Sequence, residues 1–206
     1  MLQAYGMTEA SHQMSSNPLP PADRKSGSVG VPTGTLIGIA DKTGNLQPDG
    51  TPGEVVIRGP GVMSGYVGNP EATAAAFFGE WFRTGDRGVV RDGYLFLEGR
   101  IKEMIIRGGE NIAPAEVEDV LMSHPAVQDA VCFGVADEKY GELVGAAVTL
   151  AGDVQTADLI DHCRHRLAAF KVPASIDVLQ EIPRTPTGKV QRRRVGEFVA
   201  QHRGQG

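Results

Sequence analysis

Short apolar runs separated by glycine- and proline-containing turns fill the first hundred residues. Two of these runs, residues 36–40 and 53–58, predict strands of a sheet. Another pair of runs flanks Asp92-Gly93, and because glycine accepts the positive φ of a type I′ turn, residues 89–96 are predicted to form a hairpin. Helical spacing occurs only over residues 70–78, so this half of the chain is predicted to be β-rich.

Longer amphipathic segments alternate with strands after residue 99. Residues 114–123 predict a helix, because Pro114 suits its first turn and Pro125 stops it. A second helix is predicted to start at Thr156 or Asp158 and to carry an apolar face as far as Leu167. The remaining predicted elements are strands over residues 130–135, 144–150 and 174–179 and a polar helix over residues 192–202.

The change of pattern near residues 99–102 predicts a domain boundary. The expected fold class is α+β, with a β-rich, distorted barrel-like part over residues 1–101 and a small α+β domain over residues 102–206. The second part contains enough helices and strands to bury a core of its own.

The bulk composition is that of an ordinary globular protein. Hydrophobic residues make up 41% and charged residues 22% of the 206 residues, which excludes a disordered polypeptide. A formal net charge of -5 argues against general nucleic-acid binding, and no apolar run approaches the ~18 residues of a membrane span. Cys132 and Cys163 have no metal-ligand spacing and are predicted to be reduced core residues of a cytoplasmic protein.

Four segments combine residue types that suit nucleotide and acyl chemistry. They are YGMTE at residues 5–9, WFRTGD at 81–86, GRIKEMIIRGGEN at 99–111 and PRTPTGKVQR at 183–192. In order and spacing these segments resemble the adenylate-forming superfamily of acyl-CoA synthetases, peptide-synthetase adenylation domains and luciferases. The resemblance covers essentially the whole chain. It implies the C-terminal portion of an enzyme that uses ATP or AMP, Mg²⁺ and coenzyme A.

The first motif suits the phosphates and the base of ATP. The Thr8 hydroxyl can donate to a phosphate oxygen, and the Glu9 carboxylate can hold Mg²⁺ through oxygen. Tyr5 offers a flat face for adenine, and Gly6 lets the backbone approach the nucleotide. The resemblance assigns Thr8 and Glu9 these two roles. The alternative is an exposed polar turn.

The second and third motifs supply a carboxylate and a guanidinium. Asp86 follows Thr84-Gly85 at a predicted strand end, where a carboxylate can accept two hydrogen bonds from ribose hydroxyls. The resemblance implies this role for Asp86 and makes Arg100 a second ribose contact. The alternatives are a helix or turn cap for Asp86 and a surface ion pair for Arg100.

The resemblance also implies roles for several residues of the second part. Lys102 corresponds to the hinge about which the small domain swings. Gly108 and Gly109 suit a loop beside the pantetheine thiol, where a Cβ would obstruct, although such pairs are usually plain tight turns. Lys171 is either a helix-end dipole partner or a CoA phosphate contact, and Arg107 is a further candidate for the phosphates.

Lys189 is the residue predicted to catalyse adenylation. Attack of a carboxylate on ATP builds negative charge at the α-phosphate, and an ammonium that bridges the carboxylate and phosphate oxygens stabilises this charge. Lys189 lies in a loop rich in Thr, Pro and Gly, just before three consecutive arginines at residues 192–194. The alternative is a solvated basic tail, the usual meaning of such a run.

A finer resemblance concerns the acyl substrate. Residues 8–20 and 24–30 resemble oxalate–CoA ligases of plants and fungi. The second carboxylate of oxalate needs a polar or cationic donor, which His12 could supply, although a core or surface histidine is the simpler alternative. Because most of an acyl pocket would lie upstream of Tyr5, ligases for fatty or aromatic acids stay open.

The chain departs from the superfamily at its start. Relatives carry a Ser/Thr/Gly-rich phosphate loop well upstream of the Tyr-Gly motif, and nothing like it precedes Tyr5. The chain is therefore expected to be a fragment that is inactive in adenylation alone and self-associates through an exposed apolar face. The competing hypotheses are a non-catalytic partner-binding module and, weakest, a nucleic-acid binder that uses residues 192–194.

Overall fold

The computed structural model describes residues 2–186, 188 and 190–203, with side chains as far as residue 201. The chain divides into two compact units, Met1–Lys102 and Glu103–Gly206. The division falls one residue after the boundary that the sequence predicts. The mixture of strands and short helices confirms the α+β class, and no helix among the described residues is long and apolar enough to span a membrane.

A three-stranded antiparallel sheet begins the first unit. It contains β1 (Ala4–Met7), β2 (His12–Ser16) and β3 (Val31–Pro32), in that order. None of these strands was predicted, since β1 and β3 are short and β2 consists mostly of polar residues. A turn of 3₁₀ helix, Thr8–Ala10, joins β1 to β2.

A five-stranded antiparallel sheet forms the rest of the first unit. Its strands are β4 (Leu36–Ala40), β5 (Gly53–Arg58), β6 (Phe77–Phe78), β7 (Trp81–Arg91) and β8 (Tyr94–Arg100). The order is β4-β5-β7-β6, and β8 also pairs with β7. Asp92 and Gly93, at φ 48° and 78°, form the predicted hairpin turn, so this prediction is confirmed.

The helix predicted over residues 70–78 is shorter than expected. Helix α1 spans Pro70–Ala75, and the Asn69 side chain caps its start. Phe77 and Phe78 instead form β6, which pairs with the start of β7, and the Phe77 ring packs edge-on against Phe82. Burial of these aromatic rings against the sheet overrides the helical spacing.

The second unit packs helices on both faces of a mixed sheet. Its elements are β9 (Ile105–Arg107), β10 (Glu110–Ile112), α2 (Pro114–Met122), β11 (Val127–Asp137), β12 (Gly141–Leu150), α3 (Thr156–Arg164), β13 (Ser175–Val178) and α4 (Arg192–Arg203). The sheet order is β10-β9-β12-β11, and β13 lies parallel to β12. Helix α3 ends before Leu167, which still packs on the core.

Alternating side chains of β11 define two cores in the second unit. Cys132 faces the larger core with residues of α2 and α3, whereas Val131 and Phe133 face the smaller core with residues of α4. Cys132 and Cys163 are both buried free thiols, as predicted.

Candidate functional site

A β-bulge in β7 places Asp86. Glu54 pairs with Arg87 and Val56 pairs with Arg83, so three residues of β7 oppose one residue of β5. Gly85 lies in this bulge at φ 72°, a conformation that glycine accepts without strain. The bulge therefore turns the following carboxylate into the interior of the first unit, where Asp86 is 7% exposed.

Glu54 braces the bulge, and the sequence analysis missed it. Its carboxylate accepts hydrogen bonds from Arg83 Nη2 at 2.9 Å and from the Gly85 backbone N–H at 3.2 Å. The Thr84 hydroxyl donates to the Val55 carbonyl oxygen at 2.7 Å. The available signal was a charged residue within an otherwise apolar strand, because such a residue is buried only when it is paired.

Arg100 lies directly opposite Asp86 in the pairing of β7 with β8. Its Nε atom is 2.8 Å from Asp86 Oδ1, and the Tyr5 hydroxyl donates a hydrogen bond to Asp86 Oδ2. Burial, together with this hydrogen bond, raises the pKa of Tyr5 well above its ordinary value. The geometry brings three predicted site residues, Tyr5, Asp86 and Arg100, together.

Gly6 has a packing reason that the sequence analysis did not foresee. A Cβ at this position would lie 1.6 Å from the carbonyl oxygen of His12 on the neighbouring strand. The absent side chain therefore allows close approach of β2 to β1, and the predicted nucleotide contact of Gly6 stays a prediction.

The loop that carries Thr8 and Glu9 is held in a strained conformation. Ser11 and His12 both have positive φ, 53° and 74°, which is costly for residues with a side chain. The Ser11 hydroxyl donates to the Gly61 carbonyl at 2.9 Å, and the Glu9 carbonyl accepts from the Met63 N–H at 2.8 Å. Residues 61–63, which follow β5, thus hold this loop in place through these two hydrogen bonds.

The environment of Glu9 fits a magnesium ion that is bound mainly by phosphate. The described residues place no hydrogen-bonding or ionic partner on the Glu9 carboxylate, nor do they gather three metal-ligating side chains anywhere. Mg²⁺ commonly takes only one or two protein carboxylates and obtains its other ligands from phosphates and water. His12, the predicted acyl contact, is exposed three residues later.

The glycine pair of the second unit forms a tight turn. Gly108 and Gly109 join β9 to β10 at φ 59° and 91°, so the turn itself demands glycine. Arg107, just before the pair, donates to the Phe170 carbonyl at 2.6 Å and lies over the Tyr140 ring. The Lys171 amine donates at 2.7 Å to both carboxylate oxygens of one glutamate of α2, Glu116.

Lys189, the predicted adenylation residue, lies outside the described residues. Lys102 is exposed, in the short 3₁₀ segment Ile101–Glu103. The arginines after Lys189 do not form a fully solvated basic tail, because Arg192 pairs with Glu103 and with the buried Glu118. The sequence analysis missed this network, since its partners lie 74 and 89 positions away in the chain.

Matches to known families agree with this arrangement of residues. Residues 1–67 match the AMP-binding enzyme family, and residues 116–189 match the AMP-binding enzyme C-terminal domain. The chain therefore belongs to the adenylate-forming, AMP-binding enzymes.

Individual relatives include plant CoA ligases. The chain is 52% identical to the probable CoA ligase CCL9 of Humulus lupulus and 50% identical to the oxalate–CoA ligase of Arabidopsis thaliana, and each match covers 98% of this chain. It spans only 39% of the length of each relative. The resemblance to oxalate–CoA ligases is thereby confirmed.

Among solved structures, the o-succinylbenzoate CoA synthetase MenE of Bacillus subtilis superposes with a TM-score of 0.87 at 38% identity. The match covers 94% of this chain and 40% of that protein. Structures of that synthetase contain the acyl-adenylate intermediate OSB-AMP, AMP alone, or ATP with a magnesium ion.

Proposed function

We propose that this chain is the C-terminal portion of an AMP-forming carboxylate–CoA ligase. The observation that carries the proposal is the buried Asp86 carboxylate with Arg100 and Tyr5 at its two oxygens. An ionised carboxylate in this setting is a strong acceptor for paired sugar hydroxyls. The enzyme would join a carboxylic acid to AMP, release pyrophosphate and then transfer the acyl group to CoA.

The first unit would bind the nucleotide. Asp86 accepts hydrogen bonds from the ribose hydroxyls, Arg100 donates to the same sugar, and the Tyr5 ring packs against adenine. The Thr8 hydroxyl donates to a phosphate oxygen. Glu9 would hold Mg²⁺, which neutralises phosphate charge when bound.

The second unit would contribute to acyl transfer and adenylation. Gly108 and Gly109 leave the turn after β9 free of side chains for the pantetheine arm. Arg107, over the Tyr140 ring, and Lys171, over the Phe170 ring, supply positive charge for CoA phosphates, and an incoming phosphate would compete with Glu116 for Lys171. Lys189 stabilises the charge that develops at the α-phosphate, and Lys102 is the proposed hinge.

The acid substrate is proposed to carry a second anionic group. Oxalate and o-succinylbenzoate, the acids named for two relatives, are both dicarboxylates. Exposed His12 follows the Glu9 turn and can donate to a second carboxylate. Replacement of His12 by alanine should raise the KM for oxalate about tenfold and leave the KM for ATP within twofold, whereas equal changes in both would remove His12 from the acyl site.

A grafted enzyme tests the proposed function. Residues 1–206 replace the matching portion of the Arabidopsis oxalate–CoA ligase, to which they are 50% identical. The proposal predicts oxalate-, ATP- and CoA-dependent release of AMP by this grafted ligase. Asp86→Asn should raise the KM for ATP at least tenfold.

Asp92→Asn is the matched control, since Asp92 also pairs with a basic residue, Lys25, but on the hairpin turn. It should behave like the parent grafted ligase. A correctly folded grafted ligase with no activity, or one equally sensitive at Asp86 and Asp92, would contradict the proposal.

A further inference from the structure

A buried ionic network fastens the start of helix α4, three residues after Lys189. Arg192 donates from Nη1 and Nη2 to the Glu118 carboxylate of α2 and from Nε to Glu103 at 3.0 Å. Glu118 is 8% exposed and also accepts from the Cys132 N–H of β11 at 2.7 Å. The single guanidinium therefore joins α4, α2 and the first residue of the second unit.

A second arginine fastens the chain on the other side of Lys189. Arg184 forms an isolated antiparallel bridge with Val190. Its side chain donates to the Gly188 carbonyl at 3.1 Å and to the Asp129 carboxylate of β11. The described residues on both sides of Lys189 are thus tied to the body of the unit.

The two attachments differ in strength. The Arg192–Glu118 pair is largely buried, with 23% and 10% of the two side chains exposed, whereas the Arg184–Asp129 pair is 42% and 29% exposed. Exposed ion pairs contribute little, and breaking a buried pair is costly because an uncompensated charge remains. Arg192 is therefore the principal attachment.

We infer that Arg192 is a positioning residue for adenylation, because through Glu118 and Glu103 it fixes the start of helix α4, three positions after Lys189 in the chain. The inference rests on the proposed function. A guanidinium holds its N–H donors in a rigid planar fork and can therefore donate to two separate carboxylates in a fixed geometry. An ammonium has no such fork. Arg192 thereby restricts where the start of α4 can lie.

Half-reactions of the grafted ligase test this role. Adenylation is measured by oxalate-dependent ATP–pyrophosphate exchange, and thioesterification is measured with pre-formed oxalyl-adenylate and CoA. Arg192→Lys should lower the first rate at least tenfold and the second by less than threefold. Arg193→Lys is the matched control, because Arg193 is 91% exposed and, within the described part of the chain, pairs only with Glu197, and it should leave both rates within twofold.

A second variant distinguishes a loss of positioning from a loss of folding. The double substitution Glu118→Gln/Arg192→Met removes both buried charges and keeps an acceptor for the Cys132 N–H, and it should reproduce the selective loss of adenylation. Equal losses in both half-reactions, or normal adenylation in either variant, would overturn the inference. An inactive parent grafted ligase would instead contradict the proposed function.

Discussion

The two units have nearly equal lengths but unequal cores. Among the described residues, the second unit holds twenty of the thirty buried apolar side chains, and the first unit holds only ten. Seven of the nine buried polar side chains lie in the first unit, and so do seven of the eleven exposed large apolar ones. Apolar burial is the main favourable term in folding. The second unit therefore buries enough apolar surface to fold alone, whereas the first unit buries much less.

A shared device appears in both units despite this difference. Each contains one glutamate at 8% exposure, Glu54 or Glu118, that accepts from an arginine and from a strand N–H. In the first unit it braces the bulge of Asp86, and in the second it holds the start of α4. A buried glutamate in each unit thus lies beside a segment that is proposed to bind the nucleotide or to take part in adenylation.

The largest expected effect concerns independent folding. We predict that residues 102–206 form a folded monomer, whereas the complete chain self-associates through the apolar surface of its first unit. Analytical ultracentrifugation of both polypeptides measures this difference. A monomeric 206-residue chain that unfolds cooperatively would show that the first unit is self-sufficient.

Glu118→Ala should strongly destabilise residues 102–206. The substitution leaves Arg192 partly buried without its main partner and the Cys132 N–H without an acceptor, which together cost about 3 kcal/mol. Urea unfolding followed by circular dichroism measures the free energy. Glu197→Ala, which removes the partner of exposed Arg193, is the control and should cost less than about 1 kcal/mol. Similar losses of unfolding free energy in Glu118→Ala and Glu197→Ala would show that the Arg192 network does not stabilise the unit.

The buried thiols of the second unit should be unreactive. Burial raises the pKa of Cys163 to about 11, and burial with the nearby Glu118 carboxylate raises the pKa of Cys132 well above its ordinary value. A disulfide reagent at pH 8 should therefore label the folded unit at least ~100-fold more slowly than a free thiol. Rapid labelling of either cysteine before unfolding would contradict the packing of β11 against α3.

The smallest effect is a loss of stability in mild acid. Burial, with the nearby Arg166 charge, lowers the pKa of His162, so the unfolded chain binds the proton more tightly. Stability of residues 102–206 should be full above pH 6.5, the ordinary histidine value, and should fall as pH drops through it. His162→Gln should reduce this fall, as urea midpoints between pH 5.5 and 7.5 would show. If the urea midpoint of His162→Gln falls with pH as steeply as that of the parent, groups other than His162 cause the loss of stability.

Local patterns were enough for the hairpin at Asp92-Gly93 and for helix α2, because turn chemistry and apolar spacing determine them. They failed for β1 to β3, whose residues become strands only by pairing with one another. The α+β class followed from the same local patterns, but the end of α1 did not, since aromatic packing of Phe77 is a tertiary effect.

The candidate site shows the same limit. Its residue types follow from the four motifs, and the pairing of β7 with β8 brings Asp86 beside Arg100. The partners of Glu54 and Glu118 could not be predicted. Glu54 acts across a bulge, and Arg192 meets Glu118 from 74 positions away, so neither partner is visible in a local pattern.

The central proposal is that the second unit supplies separate residues for the two steps of one ligase reaction, Lys189 for adenylation and Gly109 for acyl transfer. The most direct test is a single-turnover experiment on the grafted ligase that follows formation of the acyl-adenylate and its consumption by CoA separately. Lys189→Ala should slow the first step at least 100-fold and spare the second, and Gly109→Leu should do the reverse. Gly93→Leu introduces a similar positive-φ strain in the hairpin turn of the first unit and should spare both. Equal slowing of both steps by Lys189→Ala and Gly109→Leu would contradict the account.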